Sequence, residues 1–467
     1  MAPVIKKIGG RRCTETTPPL VAKLREVGIG PLQELLPTEV FRTLWPGKRR
    51  SWAVLVPEVV FWLMTAAALG DGSMTGAVVG FWSTLRAMLP SIAIEPITEE
   101  AFCQARKRLP LEFFRKVFYW VVARFASLHE AKFLWKGHTL KGVDGMKTLL
   151  PHSKELQERY PTPSNQHGGC GRPQGLIVGL LGLFTGICYG FIPLSGKGSE
   201  PRAGCFLARL LKAGDLLLAD ANFTGIQMFL SIIRPRADFL MRLACNRYVK
   251  YIRRPTASGR SDEYYIDIPI PAPLKALFPH VGDTLTVRVL EYQIKGYRLS
   301  RLITSLLDVE RYPHDELVAL YHDRWRQETH HREWKCSLQV ANLRSRTRKG
   351  ILKEIFVQLT LNNLVRWTQA EAVKAPLRPV DLQFLACKRL LIATIYPLAH
   401  ALANDDVPSA AVVYNQLLQA IATKRILVRP GRSYPRQHDA VPRNKGNGAF
   451  AQPARLPESE EAAMPTI

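Results

Sequence analysis

The chain has 467 residues, 47% of them hydrophobic, which excludes a disordered chain and leaves room for about three folded domains. Its 64 Lys and Arg against 39 Asp and Glu give a formal net charge of +25, which favours nucleic acid as partner, although ribosomal and membrane-surface proteins share this bias. Eight cysteines without a CxxC pair argue against a zinc ribbon or a disulfide framework and fit a reducing cytoplasm.

Residues 1–135 are predicted to form a helical N-terminal region that binds DNA. The chain starts MAPVIKKIGGRRCTE, with no apolar core of a signal peptide behind the basic residues, so we expect no export. Thr98 is a predicted N-cap, with Glu99 and Glu100 in the first turn of its helix. This helix runs into a basic cluster, which is either a solvated face or a set of phosphate contacts; we favour the second for Arg106, Lys107 and Arg108.

From residue 136 short apolar runs alternate with helical segments, which predicts a mixed α/β region over 136–225. The twenty residues Gly175–Leu194 carry no charge and are long enough to span a bilayer. Because Gly and Thr interrupt this stretch in its middle, we predict two buried strands and no membrane segment. Two further predicted strands end at Asp144 and at Asp220.

The second half of the chain is predicted to return to the same α/β region after an insertion. Residues 226–296 are more polar and β-prone, and residues 297–372 combine a buried strand with two helices. Pro313 is predicted to open the first of these helices. Residues 373–425 are predicted to be helical, and residues 426–467, basic and then acidic, are predicted to lack fixed structure.

Asp144 and Asp220 each follow an apolar run that ends at a turn. Their side chains are therefore expected at the carboxyl ends of central strands, the edge where α/β proteins build their sites. An aspartate in such a position often only caps a turn. A third carboxylate nearby would favour catalysis over capping.

The helix after Pro313 supplies a candidate for that third carboxylate. At about 100° per residue, one stripe about 60° wide holds Tyr321, Arg324, Glu328 and Lys335, together with Leu317, Val318 and Trp325. The opposite side is expected to face solvent and holds His322, Asp323, Arg326, Thr329, His330 and Glu333. We therefore predict that Glu328 faces the protein interior beside two cations.

Two other interpretations of this helix are weaker. An Arg324–Glu328 pair at i,i+4 is worth only tenths of a kcal/mol in this orientation, and it does not account for the other members of the stripe. A histidine metal site lacks ligands at i,i+4. Three carboxylates instead suit Mg²⁺ or Mn²⁺, two of which can act together in phosphodiester chemistry.

The chain resembles the DDE transposases of the insertion-sequence-4 family. Their signature Y-x2-R-x3-E-x6-K is matched without a gap by Tyr321, Arg324, Glu328 and Lys335, and GVDG and GDLLLADANF are similar to the two aspartate motifs. The resemblance covers roughly residues 95–370. One departure is visible, because Ala221-Asn222 stand where these proteins often have Arg-Gly.

The resemblance implies a ribonuclease-H-like catalytic core with a β-rich insertion, a helical N-terminal domain and a helical C-terminal region. It implies catalysis by Asp144, Asp220 and Glu328 with two Mg²⁺ (or Mn²⁺) ions, on double-stranded DNA at terminal inverted repeats and at the target. It also implies a homodimer and a location at the nucleoid. The expected DNA-binding residues are Tyr321, Arg324, Trp325, Lys335, Arg106, Lys107, Arg108, Arg344 and Arg346.

Three functions remain open from the sequence. The chain is a transposase that cuts and joins DNA, a ribonuclease-H-like nuclease that cuts without joining, or a DNA-binding derivative that has lost catalysis. Trp325 is either plain core or a residue that stacks on a displaced base.

Overall fold

The structure, a computed structural model, describes residues 38–46, 55–69, 74–88, 97–161, 171–244, 247–294, 298–325, 332–338, 340, 343–403 and 406–427. Glu328, the side chains of Trp325 and Lys335, and nearly all of the predicted tail 426–467 lie outside these residues. The described residues up to Lys424 belong to one compact unit. The N-terminal and C-terminal helices therefore share that unit with the α/β region.

Nine strands form a single mixed sheet with the order β3-β2-β1-β4-β5-β9-β8-β7-β6. Helices pack on both of its faces, so the α/β class predicted from the sequence is confirmed. The strands are β1 Thr139–Leu149, β2 Gln174–Gly182, β3 Cys188–Ser195, β4 Asp215–Ala219, β5 Asp238–Leu243, β6 Arg254–Pro255, β7 Glu263–Pro269, β8 Thr284–Tyr292 and β9 Ser300–Thr304.

The described residues contain thirteen α-helices. Predicted caps define several of them: Thr98 accepts a hydrogen bond from the Ala101 amide, and Pro313 stands at the N-cap of α10. The helices are α1 Thr38–Leu44, α2 Pro57–Leu69, α3 Met74–Met88, α4 Glu99–Arg108, α5 Leu111–His129, α6 Lys154–Arg159, α7 Glu200–Leu207, α8 Ile226–Ile233, α9 Ala272–Leu277, α10 His314–His322, α11 Arg348–Ala372, α12 Phe384–Ala403 and α13 Val407–Ala422.

The uncharged stretch Gly175–Leu194 forms the antiparallel hairpin β2–β3, as predicted. Both strands are buried almost throughout, because helices cover the sheet on each side. Among the described helices, none is both long enough and apolar enough to cross a bilayer.

The register of β1 against β4 places the two predicted catalytic aspartates. The strands are parallel and paired from Thr139↔Asp215 to Gly142↔Leu218. Asp220 directly follows β4, as predicted, but Asp144 lies inside β1 and not at its end. The expectation was wrong because β1, after its pairing with β4 has stopped at Gly142, continues along β2 to Leu149.

The predicted insertion 226–296 is not separate from the sheet. Its first strand, β5, pairs in parallel with β4. The chain then forms β6, β7 and β8 and returns through β9, which lies between β5 and β8. The polar β-prone segment thus extends the central sheet by an antiparallel edge.

Helix α11 runs through the centre of the molecule. All of its residues from Ile351 to Ala370 are buried, polar ones included. It packs on α2, α5, α12, α13 and β3. Its buried Asn363 both accepts from the Cys188 amide at 2.8 Å and donates to the Cys188 carbonyl at 2.9 Å, which fixes the hairpin to the helix.

Candidate active site

Asp144, in β1, and Asp220, directly after β4, lie close to one another at the end of the parallel β1–β4 ladder. Two residues beyond the last pair, Gly142↔Leu218, the register brings Asp144 opposite Asp220. Neighbouring strands are about 4.8 Å apart, and residues two apart on a strand share a face. Both side chains therefore leave the same face of the sheet, side by side, just past the end of the parallel ladder.

A backbone amide holds one oxygen of each aspartate. The Gly145 amide donates to Asp144 Oδ1 at 2.8 Å, and the Asn222 amide donates to Asp220 Oδ1 at 2.8 Å. Burial raises the pKa of Asp144 to about 6; the Gly145 amide opposes the shift and the charge of Asp220 adds to it. Proximity of the two carboxylates therefore favours a bound cation between them.

Helix α10 presents Tyr321 to the same site, with Arg324 just beyond its end. Tyr321 is 3% exposed and its hydroxyl donates to the Ala219 carbonyl at 3.4 Å, next to Asp220. Arg324 is 9% exposed, and its guanidinium lies 5.8 Å from the centre of the Tyr321 ring. Its charge lowers the pKa of Asp144 against the effect of burial. The predicted inward orientation of these two residues is confirmed.

The helical periodicity does not extend beyond this point. The α-helix ends at His322, a 3-10 turn follows over Asp323–Trp325, and residues 333–337 form a π-helical turn. Both turns depart from 3.6 residues per turn, so angles counted from Tyr321 lose their meaning further along the chain. Helical angles counted from Tyr321 therefore do not show on which side of the chain Glu328 or Lys335 lies.

Glu333 shows the consequence of this break. It was expected on the solvent side, but it forms an ion pair with Arg366, whose side chain is 1% exposed. The prediction that Glu333 is a surface residue is wrong. His322, by contrast, lies before the break and is exposed as predicted.

Trp334 is a site-lining residue that sequence reasoning missed. It is fully buried, and its indole covers Gly179, so tightly that a Cβ at that position would meet the ring at 2.9 Å. Gly179 is the β2 partner of Asp144, so Trp334 lies on the same face of the sheet as Asp144. The sequence signal was a glycine between the bulky residues Val178 and Leu180 of this strand.

Glu200, the first residue of α7, was also missed. It approaches β1 from the opposite face, where a side chain on Gly145 would overlap with its carboxylate. The Asn222 amide group donates to Glu200 Oε2 at 3.0 Å. Asn222 is one of the two positions at which the sequence departs from the family pattern, so this departure has a structural partner.

The predicted DNA-binding cations differ in their surroundings. Arg106 is paired with Glu354 at 2.9 Å and its side chain is only 14% exposed, so its charge is used inside the protein. Arg324 is buried as well, as described above, whereas four members of the group are exposed: Lys107, Arg108, Arg344 and Arg346.

The two aspartates suit a divalent metal ion. They supply hard carboxylate oxygens close together in a partly buried site. Within the part of the chain that the structure describes, no group of three or more His, Cys, Asp or Glu is arranged to hold an ion. The third predicted ligand, Glu328, falls outside that part.

The chain is similar in sequence to known transposases. The family model for the transposase DDE domain matches residues 136–364. The transposase InsG for insertion sequence element IS4 of Escherichia coli strain K12 is 26% identical over 317 residues, which cover 66% of this chain and 69% of that protein. A cryo-EM structure of the piggyBac transposase synaptic complex with hairpin DNA has a TM-score of 0.39 at 12% identity, covering 91% of this chain and 88% of that one.

Residues 136–364 of the chain thus match a transposase DDE domain. This match and the 26% identity to the IS4 transposase support a place in the IS4 family of DDE transposases. A DDE transposase domain implies the use of a divalent metal ion and supports DNA as partner.

Proposed function

We propose that this protein binds the ends of its own insertion sequence, cleaves them by metal-dependent phosphodiester hydrolysis and joins the 3′-hydroxyl ends to target DNA. The observation that carries the proposal is the pair Asp144 and Asp220, close together at the end of the parallel β1–β4 ladder, with Tyr321 and Arg324 beside them. A nuclease without strand transfer would cleave the ends but not join them. A catalytically silent derivative would only bind them.

The strands β3-β2-β1-β4-β5 are proposed to be the ribonuclease-H-like core. Three antiparallel strands followed by two parallel ones, with helices on both faces, support this assignment. In this proposal β6, β7 and β8 form the insertion, which begins after β5 rather than at residue 226. The described helices within residues 1–135 and 373–425 are proposed to form the N-terminal and C-terminal regions.

Asp144, Asp220 and Glu328 are the proposed ligands of two Mg²⁺ or Mn²⁺ ions. Such ions activate the attacking oxygen and stabilise the leaving oxygen of a phosphodiester. The amides of Gly145 and Asn222 each donate a hydrogen bond to one oxygen of an aspartate and so fix the orientation of the two carboxylates. Trp334 packs over Gly179, the β2 partner of Asp144, and covers that part of the sheet surface.

Arg324 is proposed to hold the scissile strand beside the carboxylates. Its guanidinium is near Asp144 and largely removed from solvent, where a contact to phosphate is strongest. Lys335 and Trp325 are proposed to contact the same DNA. The protein is proposed to act as a homodimer on paired ends, and its charge of +25 supports a location at the nucleoid.

One experiment separates the three functions. The purified protein is incubated with a labelled duplex carrying the inverted repeat that flanks its gene, a supercoiled target plasmid and Mg²⁺. Nicked ends together with a labelled, joined plasmid support the proposal. Nicked ends alone identify a nuclease without strand transfer, and binding without nicking identifies a silent derivative.

A further inference from the structure

Glu354, near the start of α11, is a buried carboxylate with an unusual number of donors. Its side chain is 6% exposed. Oε1 accepts from Arg106 Nη1 at 2.9 Å and from the Ser345 hydroxyl at 2.5 Å, and Oε2 accepts from the Arg344 amide at 2.8 Å. A buried carboxylate is costly unless it is paired and fully hydrogen-bonded, and these contacts meet that condition.

These contacts join two segments that are far apart in the chain. Arg106 lies in the last turn of α4, and residues 343–347 form the loop before α11. The neighbouring Lys353 adds to the junction, because its ammonium donates to the carbonyls of Arg106 and Lys107 at 2.9 and 3.2 Å. The end of α4 and the loop are therefore held within one side chain's reach of each other.

The residues that project from this junction are cations. Lys107 and Arg108 from α4 are exposed, and so are Arg344 and Arg346 from the loop. Their charges are not neutralised by Glu354, because its carboxylate takes Arg106 as its ion-pair partner and binds the loop through backbone and hydroxyl groups. These four cations form an exposed surface, whose backbone is held in place by the contacts of Glu354.

This surface is tied to the strand that carries Asp144. Thr148, four residues after Asp144 and so about 13 Å along β1, donates to the Val340 carbonyl at 3.0 Å. Beyond the strand, Ser153 donates to the Arg346 carbonyl at 2.7 Å, and Glu155 accepts from the Arg348 amide at 2.8 Å. The loop thus has a fixed position relative to the candidate active site.

We infer that Glu354 is a positioning residue for DNA: it holds the end of α4 and loop 343–347 together so that Lys107, Arg108, Arg344 and Arg346 bind the phosphate backbone of one duplex as a unit. The inference rests on the proposed function. Glu354 thus acts from behind the DNA-binding surface. Arg106, which forms the ion pair with Glu354, does not contact DNA.

The test measures binding of a fluorescein-labelled 40-bp duplex of arbitrary sequence by anisotropy, in EDTA, over a range of NaCl concentrations. Arbitrary sequence suffices because phosphate contacts carry no sequence information. Each lost phosphate contact reduces the log–log slope by about 0.9. Arg344→Ala/Arg346→Ala and Lys107→Ala/Arg108→Ala are each expected to reduce it by up to about 1.8.

Glu354→Gln is expected to reduce the slope like the Arg344→Ala/Arg346→Ala pair, although it removes no cation. Adding that pair to Glu354→Gln should then cost almost nothing more, since residues that act as a unit are not additive. The matched control is Glu371→Gln in the same helix, whose carboxylate accepts from Trp367 and Tyr414. It is expected to lower the melting temperature and to leave the slope unchanged.

Each outcome decides one point. An unchanged slope in both double variants overturns the surface. A reduced slope in the double variants with an unchanged slope and full additivity in Glu354→Gln overturns the positioning role and leaves a purely structural residue. If Glu354→Gln does not fold, Ser345→Ala, which removes one donor, replaces it with the same expectations. Absence of DNA binding by the unchanged protein, with no nicking in Mg²⁺, refutes the proposed function itself.

Discussion

The candidate active site has a strand-borne half, Asp144 and Asp220, and a helix-borne half, which runs from Tyr321 through Arg324 to Trp334. The strand-borne half is fixed by a ladder of backbone hydrogen bonds, whose register places the two carboxylates close together. The helix-borne half is fixed by side chains, because the α-helix ends at His322 and gives way to 3-10 and π turns.

This difference has a consequence for the two halves. A ladder holds backbone atoms, so an aspartate there can be changed with little effect on the fold. In the helix-borne half the contacts that hold the chain are made by the side chains themselves, such as Glu333 with Arg366 and Trp334 with Asn362. Changes there are expected to damage stability before chemistry.

The largest expected effect is in the strand-borne half. Asp144→Asn or Asp220→Asn should reduce end cleavage on the order of 10³-fold or more, equivalent to about 4 kcal/mol, because a neutral amide is a poor ligand for Mg²⁺. DNA affinity should stay within about threefold, since it comes mostly from phosphate contacts elsewhere.

Cleavage is measured on a labelled end duplex in Mg²⁺, and affinity on the same duplex in EDTA. Asp267→Asn is the control, since this aspartate lies in β7, in the proposed insertion, paired with Arg254. Equal loss of cleavage in Asp267→Asn, or near-normal cleavage in either site variant, would contradict the assignment of the strand-borne half.

The next effect tests the helix-borne half. Glu333→Ala should lower the free energy of unfolding by about 3–5 kcal/mol, because it leaves the buried guanidinium of Arg366 without its carboxylate. His322→Ala, at an exposed position before the break, should change it by less than about 0.5 kcal/mol.

Both values come from urea unfolding followed by circular dichroism. A regular helix continued from Tyr321 would place Glu333 and His322 together on the solvent side. Equally small changes in the free energy of unfolding for both variants would therefore support a regular helix and contradict the buried ion pair. A second variant sharpens the result: Glu333→Leu with Arg366→Met removes both charges and should recover part of the lost stability.

The two halves also differ in how far they could be predicted from sequence. The apolar runs before Asp144 and Asp220 were enough to predict that a strand leads to each aspartate, although β1 continues past Asp144. Helical angles add up along the chain, so the irregular turns at 323–325 and 333–337 made the angle counted for Glu333 meaningless. Caps such as Thr98 are local and were predicted correctly.

Contacts between residues far apart in the chain were harder to predict from the sequence. The charge run at Arg106–Arg108 gives no hint that Arg106 turns inward to Glu354, which is 248 residues away in sequence. The length of β1 beyond Asp144 depends on its pairing with β2, and the contact of Glu200 with Asn222 depends on how α7 packs. Such facts follow from tertiary packing, which no local pattern encodes.

A smaller effect concerns the pH dependence of stability in the strand-borne half. Because the pKa of Asp144 in the folded protein is about 6, above its ordinary value of 3.8, this carboxyl favours the folded state below pH 3.8, and the contribution is lost as the pH rises through about 6. In EDTA, Asp144→Asn should therefore be more stable than the unchanged protein above pH 6, by on the order of 1–3 kcal/mol.

The advantage should shrink as the pH falls from 7.5 to 5, which urea unfolding at pH 7.5, 6 and 5 measures. The control again is Asp267→Asn. The hydrogen bond from Thr286 and the pair with Arg254 lower the pKa of Asp267, so that variant should gain nothing at high pH. A constant advantage of Asp144→Asn across this range would mean that the carboxyl does not titrate there.

The smallest expected effect lies where the two halves meet. The Tyr321 hydroxyl donates to the Ala219 carbonyl, next to Asp220, over a long 3.4 Å. Burial raises the pKa of Tyr321 to about 12, so the hydroxyl stays protonated and remains a donor at all working pH values. Tyr321→Phe keeps the ring in the core and removes only this bond, so the unfolding free energy should fall by no more than about 1 kcal/mol.

Cleavage by Tyr321→Phe distinguishes two roles for the hydroxyl. If it only steadies the end of β4, cleavage should fall about two- to fivefold, in proportion to a bond worth up to about 1 kcal/mol, and DNA affinity should not change. A phosphate contact, predicted from the sequence, would instead weaken end binding and reduce its salt dependence by one contact, about 0.9 in the log–log slope. Because the ring is 3% exposed and the hydroxyl already has an acceptor inside the protein, we expect the first result.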